Sequence, residues 1–301
     1  RLFHSRVFCL MTRILLTGAN GQLGHALQHT KPKQIEIIAF DRQHLDIVDA
    51  SAVESAVAQT KPDWIINAAA YTAVDKAESE PELANAVNNT AVLNLAQTAR
   101  SANARLLHIS TDFVFDGSGQ RPYRPNDPTA PPNIYGLTKR DGEKAALEAT
   151  AEDAIIVRTA WVYSRTGRNF LTTMMCLMRE RESLKVVDDQ RGTPTATSDL
   201  ADAIWTLIDA KAAGGIYHYT NSGEATWYEF AQAIRAVLQA QSSETSLAHV
   251  EPTDTAGFPT LAKRPAYSVL DCRKTESIIG KRTQWQDALH NVMNSTESER
   301  S

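Results

Sequence analysis

Short apolar runs alternate with longer stretches of helical period through the first half of the chain. Apolar residues concentrate at 12–17, 35–40, 62–67, 105–109 and 154–158, each run short enough for a buried strand. Between these runs, apolar positions recur at helical spacing from Ala26 onward and over 49–59, 81–101 and 135–149. Strands that alternate with helices predict an α/β protein with a parallel sheet and right-handed crossovers. Beyond residue 160 the pattern loosens. It reads as a helix over 169–182, a strand over 184–187 and a loop over 188–195. Then come a helix capped by Ser198-Asp199 and running to 210, a strand over 216–220 and a capping box, Thr226-x-x-Glu229, that opens another helix. The segment 113–132, with its prolines and glycines, reads as one long irregular loop. Loops of that length inside a domain are usually functional.

The first strand runs directly into Gly18-Ala19-Asn20-Gly21-Gln22-Leu23-Gly24, and a helix follows. Glycines at 18, 21 and 24 give a tight turn, a close backbone approach to a pyrophosphate, and close packing of helix on strand. The second strand ends in Asp41-Arg42. Asp41 is placed to bond a ribose hydroxyl, and Arg42 to accept a 2′-phosphate, so NADH and NADPH both stay open. Asp46 and Ile47 are candidates to flank an adenine ring, with a plain turn as the alternative. Ala69, Ala70, Tyr71 and Thr72 follow the third strand, where small residues let a flat coenzyme lie close. These features specify a Rossmann-type doubly wound sheet over 11–160 and a smaller mixed α/β substrate domain over 161–293. Some C-terminal segments are expected to return to the main sheet.

The chemistry gathers around residues 110–139. Tyr135 and Lys139 stand four apart, on one face of a helix. A phenol titrates near ~10 in water, and an ammonium one turn away is expected to lower that value. Thr111, at the end of the fourth strand, adds a hydroxyl that can hold a substrate oxygen beside the phenol. This is an acid–base station for a carbonyl/alcohol pair, and it needs a separate hydride carrier. Asp112 borders it. Trp161 either walls a pocket or fills core, and Lys263 with Arg264 either grip a phosphate or form a surface charge pair. His25 and His29 have helical metal-ligand spacing but no third partner, so no metal site is assigned.

Composition narrows the picture. The chain has 301 residues, 43% hydrophobic and 22% charged, with a net charge of −4. That balance suits an ordinary globular protein and offers no basic excess for nucleic acid. No apolar run approaches a membrane span. The three cysteines, Cys9, Cys176 and Cys272, are odd in number and widely spaced, as fits a reducing, cytoplasmic setting. Residues 1–10 precede Met11 and read as an upstream extension; 294–301 are Ser- and Glu-rich and read as a disordered tail.

Taken together, Gly18-x-x-Gly21-x-x-Gly24, Thr111 and Tyr135-x-x-x-Lys139 resemble the extended short-chain dehydrogenase/reductases. The blocks at 67–78, 108–115 and 158–163, and Arg264-Pro265, resemble the dTDP-4-dehydrorhamnose reductase family within them, from about residue 11 to the last helix. The resemblance implies reduction of the C4 keto group of a nucleotide sugar, dTDP-4-dehydro-L-rhamnose, by NADPH or NADH. It gives Tyr135 the role of proton donor. Lys139 would tune Tyr135 and hold the nicotinamide ribose, Thr111 would bond the C4 oxygen, and Asp112 and Trp161 would border the sugar. It places Gly21, Gln22, Leu23, Asp41, Asp46, Ile47, Ala70, Tyr71 and Thr72 against the coenzyme. A homodimer is open; some members carry Mg²⁺ at a dimer contact of acidic residues, and no matching acids are identified here. Two alternatives share the fold: the non-catalytic regulatory subunit of methionine adenosyltransferase, and another nucleotide-sugar reductase or epimerase. The blocks at 73–78 and Trp161-Val162-Tyr163 are similar to the reductase.

Overall fold

The computed structural model describes residues 11–241 and 247–295. The expected extension at 1–10 and the tail from 296 lie outside them, while Asn294 closes the last helix.

Four strand–helix units and a fifth strand build most of the main sheet. They are β1 (Thr12–Thr17) and α1 (Gln22–His29); β2 (Ile35–Phe40) and α2 (Ala50–Thr60); and β3 (Trp64–Asn67), followed by α3 (Val74–Ala77), α4 (Pro81–Asn85) and α5 (Ala91–Ser101). Next are β4 (Arg105–Thr111), α6 (Ile134–Ala149) and β5 (Ile155–Thr159). The remainder runs β6 (Val162–Tyr163), α7 (Phe170–Glu180), β7 (Ser183–Val187), β8 (Arg191–Gly192), β9 (Thr195–Ala196), α8 (Thr197–Asp209) and β10 (Gly215–His218). It ends with β11 (Ala225–Thr226), α9 (Trp227–Gln241), β12 (His249–Thr253), α10 (Arg273–Ile279) and α11 (Trp285–Asn294).

The sheet has six strands in the order β10-β5-β4-β3-β1-β2, all parallel. It is buried on both faces, so its central strands are almost continuously apolar rather than alternating. One core fills the side covered by α1 and α8, around Ile14, Leu16, Ile66, Leu107 and Ile204. Another fills the side covered by α2 and α5, around Leu15, Val53, Ile65, Leu95 and Ile156. A third, from Tyr163 to Met293, lies among α7, α9 and α11. Parallel strands carry ligands beyond their C-terminal ends, which is where Gly18, Asp41, Ala69 and Thr111 fall.

Three local differences from the sequence pattern have identifiable causes. The helix expected over 81–101 is broken by a wide turn at Ala86–Thr90. There the buried Asn88 bonds the Tyr71 backbone at both N–H (2.9 Å) and C=O (3.1 Å), and Thr138 as well. Side-chain partners outside the helix thus hold the wider π-type turn. The loop expected over 188–195 contains β8 and β9, which pair with β11 and β6; strands of two residues carry no alternation to detect. Ser198-Asp199 does not cap α8. The helix begins a residue earlier, and the Asn221 side chain, from beyond β10, accepts the Ala196 N–H at 2.8 Å.

Helix α6 is tied to the sheet by a buried ion pair. Glu143 receives Arg158 of β5 through Nε at 2.9 Å and Nη2 at 2.6 Å, and Ser110 of β4 through its hydroxyl. The guanidinium also donates to the Pro125 carbonyl at 3.2 Å and lies over the Phe115 ring. Both charged side chains are at most 3% exposed. Removing one partner strands the other charge in a dry interior. Arg158→Met is therefore expected to cost about 3–5 kcal/mol in urea denaturation; a loss below about 1 kcal/mol, the scale of a surface pair, would contradict this.

Candidate active site

The glycine loop follows from backbone sterics. Gly18 has φ +73°, and a Cβ there would stand 2.6 Å from the Ala69 nitrogen; one at Gly24 would stand 2.2 Å from the Gly18 carbonyl oxygen. No larger residue fits either place. The loop therefore lies flat against the end of β3, with the N-terminus of α1 free to face an anion. Gln22 ties this loop to the C-terminal half, accepting Ser164 at 2.9 Å and Asn169 at 2.8 Å. Leu23 is buried beneath it.

At the end of β2 the Asp41 carboxylate accepts Asn20 Nδ2 at 2.8 Å, the backbone N–H groups of Gln43 and His44, and His44 Nδ1 at 2.7 Å. The His44 hydrogen bond leads these in holding its carboxyl below the usual range. Arg42 beside it is exposed. Asp46 accepts the Val48 N–H at 3.0 Å, and the Ile47 side chain is committed to the core, so the plain turn describes these side chains better than an adenine sandwich. Beyond β3, Ala69 donates to Asn67 Oδ1, Ala70 is half-buried and Thr72 is exposed. The Tyr71 hydroxyl donates to Glu80 at 2.6 Å, which pushes its phenol up to about 12.

Thr111 and Tyr135 meet at the centre of this edge. Thr111 ends β4 and donates to Asp112 at 3.0 Å. Asn133 caps α6 by accepting the Gly136 N–H at 2.8 Å, and it also donates to the Lys263 carbonyl at 2.8 Å. The cap aims the first turn, and with it the Tyr135 ring, which meets Phe113 edge-on at 5.5 Å. Lys139, buried one turn on, donates to the Ile109 carbonyl at 2.6 Å and sits 3.2 Å from His108 Nε2.

The electrostatics correct one expectation. Lys139 does not lower the Tyr135 phenol. Burial pushes that phenol up to about 12; the Thr111 hydroxyl opposes the rise and the Asp112 charge adds to it. Lys139 is itself brought down to about 8, mainly by burial, with Glu143 opposing. Desolvation outweighs the neighbouring charge because the amine is aimed at β4 rather than at the phenol. Tyr135 is thus a proton-loaded acid. Asp112 is raised to about 6 by burial, with Ser268 and Thr111 offsetting part of the cost.

Other expected residues are placed less directly. Arg264 pairs with Asp75 at 2.7 Å, and Lys263 is exposed; the charge-pair alternative describes Arg264. Trp161 has a left-handed backbone, φ +47°, and stacks on Trp227 at 3.6 Å. It is half-buried, with Gly192 against its other side. Residues that the sequence pattern passed over are Asn67, His108, Trp227 and Ser268. His108 was findable as a polar residue inside an apolar strand run, and Trp227 as the first residue after the capping-box Thr226.

Among the described residues, two buried polar atoms at this edge have no hydrogen-bond partner, Asp112 Oδ2 and Thr159 Oγ1. They belong to adjacent strand ends, since Thr159 is the register partner of Thr111. A ligand lying across the strand ends would supply what they lack. A cavity of about 460 Å³ opens elsewhere, among Arg121, Arg124, Arg273 and Arg282. Three of these arginines are already paired, with Asp127, Asp271 and Glu276. Residue chemistry, not cavity size, therefore locates the site. Among the described residues, no group of three or more His, Cys, Asp or Glu could hold a metal ion, and no helix is long and apolar enough to cross a membrane.

Residues 11–298 match the model of the RmlD substrate binding domain family. The chain belongs to that family. It is 47% identical over 264 residues to a dTDP-4-dehydrorhamnose reductase of Streptomyces griseus, covering 86% of this chain and 85% of the relative. It is 40% identical over 290 residues to the enzyme of the same name from Escherichia coli (strain K12), covering 93% and 97%. A dTDP-4-dehydrorhamnose reductase of Bacillus anthracis str. Ames, solved in complex with NADP, superposes with a TM-score of 0.89 at 38% identity, covering 95% of this chain and 99% of that one. The reductase names of these family members weigh against the non-catalytic alternative.

The state of Tyr135 is directly checkable. Ultraviolet difference titration of the native chain against Tyr135→Phe is expected to differ only near pH 12. A tyrosinate component that titrates well below pH 10 and vanishes in the variant would contradict a proton-loaded phenol.

Proposed function

We propose that this chain is the NAD(P)H-dependent reductase that converts the C4 keto group of dTDP-4-dehydro-L-rhamnose to the alcohol of dTDP-L-rhamnose. The observation that carries the reading is the buried phenol of Tyr135 beside the Thr111 hydroxyl, at the edge where a dinucleotide would lie. A nicotinamide coenzyme supplies the hydride when bound. Gly18, Asn20, Gly21 and Gly24 would frame its pyrophosphate, Asp41 its ribose, and Lys139 the nicotinamide ribose.

The remaining steps belong to the chain's own groups. Thr111 exchanges its Asp112 acceptor for the keto oxygen and holds it beside the phenol. As the carbonyl carbon gains hydride, negative charge grows on that oxygen, and Tyr135 Oη delivers its proton there. The products are an alcohol and a phenolate, which solvent protonates to restore the acid. Asp112 and Trp161 would border the sugar, and Lys263, exposed beside the Arg264–Asp75 pair, would face its phosphates. Two cysteines lie among the described residues; Cys272 is buried and Cys176 exposed, and both are free thiols. This supports a cytoplasmic, reducing setting.

Incubating purified protein with dTDP-4-dehydrorhamnose and NADPH is expected to consume the coenzyme and yield the 4-hydroxy sugar; no turnover would favour a binding protein. Tyr135→Phe is expected to lower kcat by about 10²–10⁴-fold while coenzyme still binds, and near-native turnover would remove Tyr135 from the mechanism. NADH and NADPH are both expected to serve, because Asp41 suits a free ribose and Arg42 a 2′-phosphate. A preference above about a thousandfold, ~4 kcal/mol, would contradict that.

A further inference from the structure

Trp161 stands just past the strand ends that form the site, beyond Thr159 of β5. Its backbone is left-handed, φ +47°. A bulky L side chain adopts that conformation only where its surroundings impose it. Two pieces of chain do so. Trp227 stacks on one face of the indole, with ring centres 3.6 Å apart and planes 10° from parallel. Gly192 lies on the other face. A Cβ there would stand 2.6 Å from Cε2 and 2.8 Å from both Cζ2 and Nε1, which is a position above the ring rather than beside its rim. The stack leaves no room for that Cβ on the Trp227 side.

The two jaws are built as one unit. β8 and β11 run antiparallel, with Gly192 opposite Ala225 and Arg191 opposite Thr226. Trp227 therefore follows directly on the strand that pairs with Gly192. The Thr195 N–H holds the Trp161 carbonyl at 3.1 Å. β8 also carries the segment that borders Asp112. The Arg191 N–H donates to the Ala266 carbonyl and the Ser268 N–H to the Arg191 carbonyl, each at 2.8 Å. The Ser268 side chain in turn eases the burial of Asp112. The clamp thus sits against the Thr111–Asp112 end of the site.

With both faces covered, a ligand can meet only the edge of the Trp161 ring. That edge carries the Nε1–H, which can only donate. The indoles of Trp205 and Trp285 donate to Thr30 and to the Glu224 carbonyl. The Trp161 N–H has no acceptor among the described residues. We propose that Trp227 and Gly192 are positioning residues, which hold the Trp161 indole edge-on so that its N–H donates to an oxygen of the bound nucleotide sugar. The identity of that ligand rests on the proposed reductase activity; the clamp itself does not. Both residues act through the ring they enclose, so they govern the sugar nucleotide and leave the coenzyme alone.

Calorimetric titration with dTDP-L-rhamnose, and separately with NADPH, tests this. Trp227→Leu and Gly192→Ala are each expected to weaken sugar-nucleotide binding about tenfold or more and to leave NADPH affinity within about twofold. Trp227→Phe, which keeps a stacking face, is expected to stay within about threefold of the native chain for both. On a Trp161→Leu background, Trp227→Leu is expected to cost no further sugar-nucleotide affinity, because the ring it acts through is already gone. Native affinity in Trp227→Leu, a matching loss of NADPH affinity, or a loss that adds to that of Trp161→Leu overturns the proposal. If Gly192→Ala does not fold, the Trp227 variants and the double variant decide. The Trp161 indole N–H resonance, assigned by its absence in Trp161→Leu, reads the clamp without any sugar. It is expected to be shielded by the Trp227 ring in the native chain and to move downfield in Trp227→Leu; no movement overturns the clamp. A native chain that shows this movement but binds no dTDP-L-rhamnose overturns the ligand named here together with the proposed function. Unaltered sugar binding in the variants overturns the positioning role alone.

Discussion

The site depends on how helix α6 is pinned to the C-terminal ends of β4 and β5. Two charged side chains of that helix, Lys139 and Glu143, reach into the sheet and are consumed there by backbone and side-chain partners. Burying a charge is costly unless every polar atom finds a partner, so this docking tolerates one depth and one rotation of the helix. Tyr135, one turn before Lys139, is placed by the same constraint. The Asn133 cap then sets the direction of the first turn and ties the 263 loop to it. A phenol within reach of Thr111 is therefore a consequence of how the helix is anchored.

Desolvation governs the chemistry of that phenol more than neighbouring charge does. A lysine at i+4 suggests electrostatic activation, yet the amine is withdrawn toward Ile109 and His108 while the phenol stays dry and neutral. Reduction of a carbonyl consumes a proton, and a donor that holds its proton firmly until negative charge develops on a substrate oxygen suits that direction.

Much of the architecture was legible from periodicity because a doubly wound sheet repeats one unit. Short apolar runs at 12–17, 35–40 and 154–158 needed no tertiary information to read as strands. The loop glycines, Asp41, Thr111 and the Tyr135–Lys139 pair could be picked out by residue type and spacing. Where the pattern failed, partners distant in the chain had overridden it. Asn88 widened a helix through Tyr71 and Thr138, Asn221 held the Ala196 N–H where α8 starts ahead of Ser198-Asp199, and two-residue strands formed only where a remote edge met them. Arg264 offered a cation to a phosphate, but Asp75, nearly two hundred residues earlier, stands beside it.

The sequence by itself determined the strands of the main sheet and the end of that sheet suited to ligands, and it picked out the side chains proposed to carry the chemistry, because these follow from local spacing and from the handedness of crossovers. Only the tertiary structure decided the protonation of those side chains and the partners that hold them. Burial and the direction of an ammonium depend on atoms brought together from β4 and α6. A pKa is set by that assembled environment, which no local pattern encodes.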